Sequence, residues 1–274
     1  MRSLDNSSSK VPALTRARAV RAPSSANLPT PPKGKKWLFV PSLSDEFNGA
    51  QLDPRKWMPH HPYWEGRAPS KFREGNVRVA DGRLQLSSTS RVASMSDVRR
   101  PLVDIWVNSA AVSSVAPTVG LGYYESRIKA SRLSMTSSFW FQNQGGEIDV
   151  VEQVGKPSNP TLSGITRFMN SNIHVTNNGK MDNSPQLIPM DSTAANDYHV
   201  YAMWWRDSRT VTFYLNGRPK STVHLKAALA TPMWMFFDTE VFTWAGLPTI
   251  ASLKDTSANR MLVDYVRAWK LVRA

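Results

Sequence analysis

The sequence predicts an all-β domain, an antiparallel sandwich of two sheets, on three observations. Apolar and polar residues alternate in short runs, the two-residue period of strands with one buried face. Asx-Gly dipeptides sit between neighbouring runs, where a two-residue hairpin turn needs left-handed backbone. Helical periodicity is scarce, and there is no strand–helix alternation of the kind that builds a parallel sheet. With 274 residues, 41% of them hydrophobic, the chain can bury one large core.

Taken in order, residues 1–36 are rich in Ser, Pro, Ala and Arg and lack apolar periodicity. They are expected to form a disordered or loosely attached tail, with Leu28-Pro29-Thr30-Pro31-Pro32 as a stiff, extended linker. The domain proper is placed at 37–274. Within it, residues 76–80 and 83–86 alternate across Asp81-Gly82, and residues 123–130 alternate again. Residues 211–215 run into Asn216-Gly217, a second hairpin signal, and residues 262–266 form a closing strand. Residues 226–229 could hold one helical turn.

Composition excludes several classes of function. With no cysteine, the chain has no disulfide, thiolate nucleophile or Cys-ligated zinc. No apolar run reaches the roughly 18 residues of a membrane helix, so no membrane partner is expected. No signal peptide is visible, because Arg16 and Arg18 interrupt residues 11–20. The net charge of +13 invites a nucleic-acid partner, but residues 1–36 carry eight Lys/Arg against Asp5 alone and leave +6 for the rest. The densest basic run therefore lies away from the aromatic residues it would have to interleave with, which argues against nucleic acid. A charge of +6 suits some anionic polymer without naming it.

The chemistry is concentrated in Glu147-Ile148-Asp149-Val150-Val151-Glu152. On a strand Glu147 and Asp149 share a face, but Glu152, five positions from Glu147, falls on the other. One extra residue, a β-bulge at Val150-Val151, returns it to the same side. Three crowded acids cannot all ionise easily, so at least one pKa must rise. That is what a retaining glycosidase needs: Glu147 as nucleophile, Glu152 as acid and then base, and Asp149 between them holding their pKa values apart. A solvated acidic strand is disfavoured by Ile148, Val150 and Val151, and a calcium loop by the lack of Asp/Asn/Gly spacing.

Glu147-x-Asp149-x-x-Glu152 resembles the motif of glycoside hydrolase family 16. The likeness extends to Ser44-Asp45-Glu46-Phe47-Asn48-Gly49, similar to the family's opening strand. It also takes in Tyr63-Trp64-Glu65-Gly66-Arg67-Ala68-Pro69, Asp81-Gly82-Arg83-Leu84, Phe237-Asp238-Thr239-Glu240 and Val263-Asp264-Tyr265. These look like the branch of agarases, porphyranases and carrageenases. The resemblance implies a jelly roll of the concanavalin-like kind with a concave substrate cleft. It further implies endo-attack on a β-linked, expectedly β-1,4, galactose unit of a red-algal galactan, and thus a secreted or periplasmic, monomeric enzyme. No cofactor is needed for catalysis; a structural calcium is implied, with Asp264 and the Gly82 carbonyl as matching positions. His174 would be a neighbour tuning Glu152, and Trp140 the floor of the subsite beside the bond.

Other groups suit a sugar chain. Trp64 and Trp244 sit in loops with no core to fill, where aromatic platforms for sugar faces are expected. Arg67 can grip a sulfate or hydroxyl with two parallel hydrogen bonds, whereas Lys71 and Arg73 read as a solvated basic loop. Trp204, Trp205 and Trp269 lie in strand patterns and read mainly as core. A galactan-binding lectin on the same sandwich is the rival reading; it would keep the tryptophans and have no need of three crowded acids.

Overall fold

In the computed structural model, which describes residues 28–274, the alternating segments pair into two eight-stranded antiparallel sheets. The outer sheet runs, in spatial order, Arg218–His224, Thr210–Leu215, His199–Asp207, Gly122–Lys129, Arg260–Arg273, Arg83–Ser87 and Val77–Ala80, and Lys35–Phe39 also pairs with Arg260–Arg273. The cleft sheet runs Lys180–Asn183, Phe168–Asn177, Gly146–Val154, Thr136–Asn143, Trp234–Asp238, Ala111–Ser114 and Trp57–Met58, with Gln186–Pro189 paired to Phe168–Asn177. Spatial neighbours far apart in sequence are the mark of a jelly roll.

Both hairpins form where the turn residues require. Asp81 and Gly82 have φ of 55° and 67°, and Asn216 and Gly217 have 51° and 74°. Consecutive left-handed residues twist the backbone to match the flanking strands. The core between the sheets takes Phe139, Phe141, Ile148 and Phe237 from the cleft sheet, and Met203, Trp205, Phe213 and Val263 from the outer one. Each such side chain contributes roughly 1.5–3 kcal/mol on burial. Because side chains alternate, Trp204 faces away from this core while Trp205 faces into it. Trp204, Tyr123, Tyr214 and Trp269 build a second apolar layer on the outer face, packed against Trp37 and Phe39.

That layer moves the start of the domain. Lys35–Phe39 is a strand, Leu28 packs against the outer layer, and Trp37 Nε1 donates to the Pro29 carbonyl at 2.6 Å. The Pro-rich stretch from Leu28 is thus seated on the fold and is not a linker; the rest of the expected tail, residues 1–27, lies outside the described residues. Three further expectations change. The opening stretch around Asp45 makes a single bridge to Val266 in place of a strand. Residues 226–229 form no helical turn; among the described residues the α-helix is Ile250–Lys254, begun by a reciprocal Thr249–Ser252 capping box. The last strand, Arg260–Arg273, closes the sequence but lies inside its sheet, between Gly122–Lys129 and Arg83–Ser87.

The carboxylate strand is Gly146–Val154, and its bulge is present. Trp140 pairs with Asp149 and Phe139 with Val151, so Val150 has no partner residue. Val150 and Val151 are both fully buried in the core, two successive inward side chains. Glu147, Asp149 and Glu152 consequently share the cleft face. The strand ends at Gly155, where a Cβ would lie 1.8 Å from the Ser131 carbonyl oxygen. Gly155→Ala is therefore expected to cost about 1–3 kcal/mol or more through forced backbone displacement. Thermal unfolding would show a midpoint several degrees lower; an unchanged midpoint would contradict this close approach.

Candidate active site

Strand pairing sets the cleft floor in three cross-strand rows. Glu147 lies between Gln142 and His174, with Asn183 beyond the histidine. Asp149 lies between Trp140 and Asn172, and Glu152 pairs with Ser138, which in turn pairs with Asp238. Directly opposed residues on one face are near neighbours, so the register alone brings these groups together. Over them His61, Tyr63, Trp64, Arg67 and Glu240 complete a hollow of about 360 Å³.

The histidine's role follows from its partners. Asn172 Oδ1 accepts the backbone N–H groups of Ile173 (2.9 Å) and Ser184 (3.0 Å), which turns its Nδ2 toward His174 Nε2 at 3.0 Å. An amide N–H must donate, so Nε2 is an acceptor and the ring proton sits on Nδ1, facing Asn183 Oδ1 at 2.6 Å. His174 Nε2 is 3.2 Å from Asp149 Oδ2 and 3.7 Å from Glu147 Oε1. The histidine thus touches Asp149 and Glu147 directly, and it bears on Glu152, as expected, only as a neighbouring charge that opposes the rise of that residue's pKa.

Burial dominates the electrostatics. Asp149 is held well above the ordinary carboxylate range, first by burial and then by Glu147 and Asp238. Glu152 is raised likewise, by burial and then by Asp149, Glu240 and Glu147. Asp238 is raised by burial and by Glu240. Glu240 is pushed up to about 7 by burial, against the opposing pull of Arg67. An Asp149 carrying its proton can donate to Glu147, leaving Glu147 as the acceptor. Gln142 Nε2 also donates to Glu147 Oε2, and Tyr63 Oη donates to Gln142 Oε1 at 2.8 Å, so the amide is oriented from the cleft wall.

Each group expected to bind substrate reaches this region. Trp140 is nearly buried, stacks on Phe236 and His61, and donates its indole N–H to Asp238 Oδ2 at 3.0 Å. Trp64 lines the hollow. Trp244, half-exposed, lines an adjoining one with Glu152. Arg67 Nε donates to Glu240 Oε2 at 2.8 Å, and its guanidinium lies over Phe242 (5.1 Å) and Trp64 (5.8 Å). Among the described residues its terminal Nη groups make no hydrogen bond to protein. Lys71 is paired with Glu65, and Arg73 with Asn108.

Sequence reasoning missed four contributors. Asp238 and Glu240 stood in a quoted segment with no sign that a strand end would bring them beside the acids. His61 had no pattern of its own, yet it stacks on Phe236 and Trp140, and burial lowers its pKa to about 4. Gln142, five positions before Glu147, could have been found by folding the segment as a hairpin. The expected calcium position does not fit a cation: Asp264 accepts Arg127 Nη1 at 2.7 Å, so a guanidinium already holds its carboxylate. Donor atoms of Glu147, Asp149 and His174 do lie within 4.8 Å of one another. The Asn172 donor occupies the imidazole lone pair, and burial favours a proton on Asp149, so the trio reads as a proton-sharing cluster.

Comparison with known proteins bears on this geometry directly. The family model described as beta-porphyranase A–D, GH16 domain, matches residues 37–271. The chain is a glycoside hydrolase of family 16. It is 34% identical to beta-porphyranase B of Phocaeicola plebeius over 90% of this chain and 88% of that protein. It is 35% identical to beta-porphyranase D of Zobellia galactanivorans, covering 89% of this chain but 63% of that longer protein. The crystal structure of the beta-porphyranase BpGH16B from the human gut bacterium Bacteroides plebeius superposes with a TM-score of 0.79 at 32% identity, covering 90% and 96% of the two chains.

The Glu240 environment gives a checkable sign. Its folded-state pKa is raised, so the native state holds the proton more tightly than the unfolded chain. The stability associated with that proton is lost as pH rises from about 4.5 to about 7. Glu240→Gln does not titrate. Its melting temperature should therefore gain on wild type across that window, by several degrees, and the difference between the two proteins cancels the opposing contribution of His61. A gap that narrows as pH rises would contradict the buried placement of Glu240.

Proposed function

We propose that the protein is a retaining endo-hydrolase of a sulfated red-algal galactan, cleaving β-1,4-galactosidic bonds. The observation that carries this reading is the bulged strand, which sets Glu147, Asp149 and Glu152 on one face, lining one hollow. In the first step a Glu147 carboxylate oxygen attacks the anomeric carbon and the bond to the leaving sugar breaks. Glu152 gives its proton to the departing oxygen. In the second step water attacks the same carbon, gives a proton to Glu152 and frees Glu147. Burial supports the division of labour: Glu152, raised well above the carboxylate range, keeps the proton it must donate. Asp149 with its own proton stabilises negative charge on Glu147 without adding to it.

The sulfated substrate is supported by Arg67, which lines the hollow with no hydrogen bond from its Nη groups to the described residues, and by relatives described as beta-porphyranases. A polymer substrate of this kind also implies a secreted or periplasmic enzyme that needs no cofactor.

Glu147→Ala and Glu152→Gln should each lower the release of reducing ends by about 10²–10⁴-fold with the melting temperature preserved. On a panel of galactans the wild-type enzyme should act faster on sulfated than on unsulfated polymer, and Arg67→Met should shrink that ratio about tenfold. Near-normal activity in either glutamate variant would remove the role assigned to it. A ratio unmoved by Arg67→Met would take the sulfate away from that residue.

A further inference from the structure

One cation meets four carboxyl groups in the hollow over the acids. Among the described residues that line it, Glu147, Asp149, Glu152 and Glu240 carry carboxyls, and Arg67 is the only Lys or Arg. A sulfate entering there has one guanidinium to bind, and that guanidinium already answers Glu240 through Nε at 2.8 Å. Two anions then compete for one cation, in a place where burial weakens screening.

The backbone keeps the pair from settling this by moving apart. Ser70 Oγ donates to the Arg67 carbonyl at 2.8 Å and accepts the Val241 N–H at 3.3 Å, so one buried hydroxyl ties the Arg67 loop to the Glu240 segment. Glu240 is fastened on its other side as well. Its N–H donates to Thr136 Oγ1, and its carbonyl accepts from the Thr136 N–H, both at 2.8 Å. Phe242 and Trp64 hold the guanidinium itself, at 5.1 and 5.8 Å. A carboxylate fixed against a cation can yield it to a second anion by taking a proton.

The surroundings favour that proton. Glu147, from the carboxylate strand, opposes the ionisation of Glu240, and burial pushes it up to about 7 against the pull of Arg67. Asp149 and Glu152, from the same strand, and Asp238, two residues before Glu240, are in turn raised by Glu240, so the repulsion is mutual. His61, on the loop that carries Arg67, has its pKa lowered to about 4 and brings no second cation above that pH.

We propose that Glu240 is a positioning residue that sets sulfate recognition by its protonation: a sulfated galactan binds at Arg67 with uptake of a proton at Glu240, and an unsulfated one binds without it. The proposal rests on the hydrolase reading above and adds a pH-dependent choice of substrate to it. The sign follows from the raised pKa. Below about 7 Glu240 is neutral and Arg67 keeps its full charge for the sulfate; as pH rises through that value, the ionised carboxylate reclaims the guanidinium and sulfate affinity falls. By reciprocity, bound sulfate raises the pKa of Glu240 further.

The test measures binding to Glu152→Gln, which leaves Glu147, Arg67 and Glu240 in place while removing the proton donor. The ligands are a sulfated galactan oligosaccharide and the same oligosaccharide after chemical desulfation. Calorimetry in two buffers of different ionisation enthalpy reads both affinity and protons exchanged. The Kd for the sulfated ligand should rise about tenfold between pH about 6 and about 8, with about half a proton taken up near pH 7. The desulfated ligand should show neither effect. Adding Glu240→Gln, which keeps an acceptor for Arg67 and cannot ionise, should hold the sulfated Kd at its low-pH value and abolish the uptake. In the otherwise wild-type enzyme, the ratio of kcat/KM for sulfated over desulfated polymer should fall about tenfold over the same range, since titration of Glu147 and Glu152 is common to both substrates and cancels. Glu240→Gln alone should flatten that ratio. A sulfated Kd and a ratio that both ignore pH would overturn the proposal, as would an equal slope with the desulfated ligand or a slope that survives Glu240→Gln. Wild-type protein inert on both polymers would instead overturn the hydrolase reading, and the proposal with it.

Discussion

One residue without a pairing partner, Val150, governs the active site. A regular strand would send Glu152 to the core side of its sheet, where a carboxyl group beside Phe139 would be costly to bury. Placing two successive valines inward restores the glutamate to the cleft, and the burial of both valines holds the bulge in place. The energy that fixes the catalytic geometry is thus hydrophobic and lies beneath the site. Everything polar above it inherits its position from that register: Gln142 against Glu147, Trp140 against Asp149, Ser138 against Glu152.

The second constraint is the shortage of solvent and of cations on the cleft floor. Asp149, Glu152, Asp238 and Glu240 all have raised pKa values with burial as the leading cause, and Arg67 is bonded to Glu240. Carboxyls crowded this way share protons rather than charges. The orientation of His174, imposed by Asn172 and Asn183, fits the same arrangement because it fixes the ring beside Asp149 and Glu147. Arg67 stands at the edge of this floor. Its Nε answers Glu240, so the residue proposed to read the polymer's charge also bears on the protonation of that acid.

Much of this was legible in the sequence, and the reasons differ by residue. Alternation and Asx-Gly turns revealed the hairpins because both signals are local. The spacing of Glu147 and Glu152 demanded a bulge because strand periodicity leaves no other way to one face. Asp238, Glu240 and His61 were not legible as site residues, since their positions depend on long-range pairing that no local pattern encodes. The start of the domain was misread for a related reason: Leu28 and Pro29 look like linker until Trp37, on a strand paired with the far end of the chain, packs over them. His174 was read only as a neighbour of Glu152; strand adjacency puts it in the row of Glu147, and it acts on Glu152 from there. Asp264 was offered to calcium on its match to a motif, whereas Arg127, from the neighbouring strand, takes its carboxylate.

The central claim is that Glu147 attacks the anomeric carbon directly, with Glu152 as the acid beside it. The anomeric configuration of the first-formed reducing ends tests this most directly. Proton NMR of fresh digests, recorded before mutarotation, should show the β-anomer first, as two successive inversions require. Initial accumulation of the α-anomer would mean that water attacks in a single step, and that Glu147 is not the nucleophile.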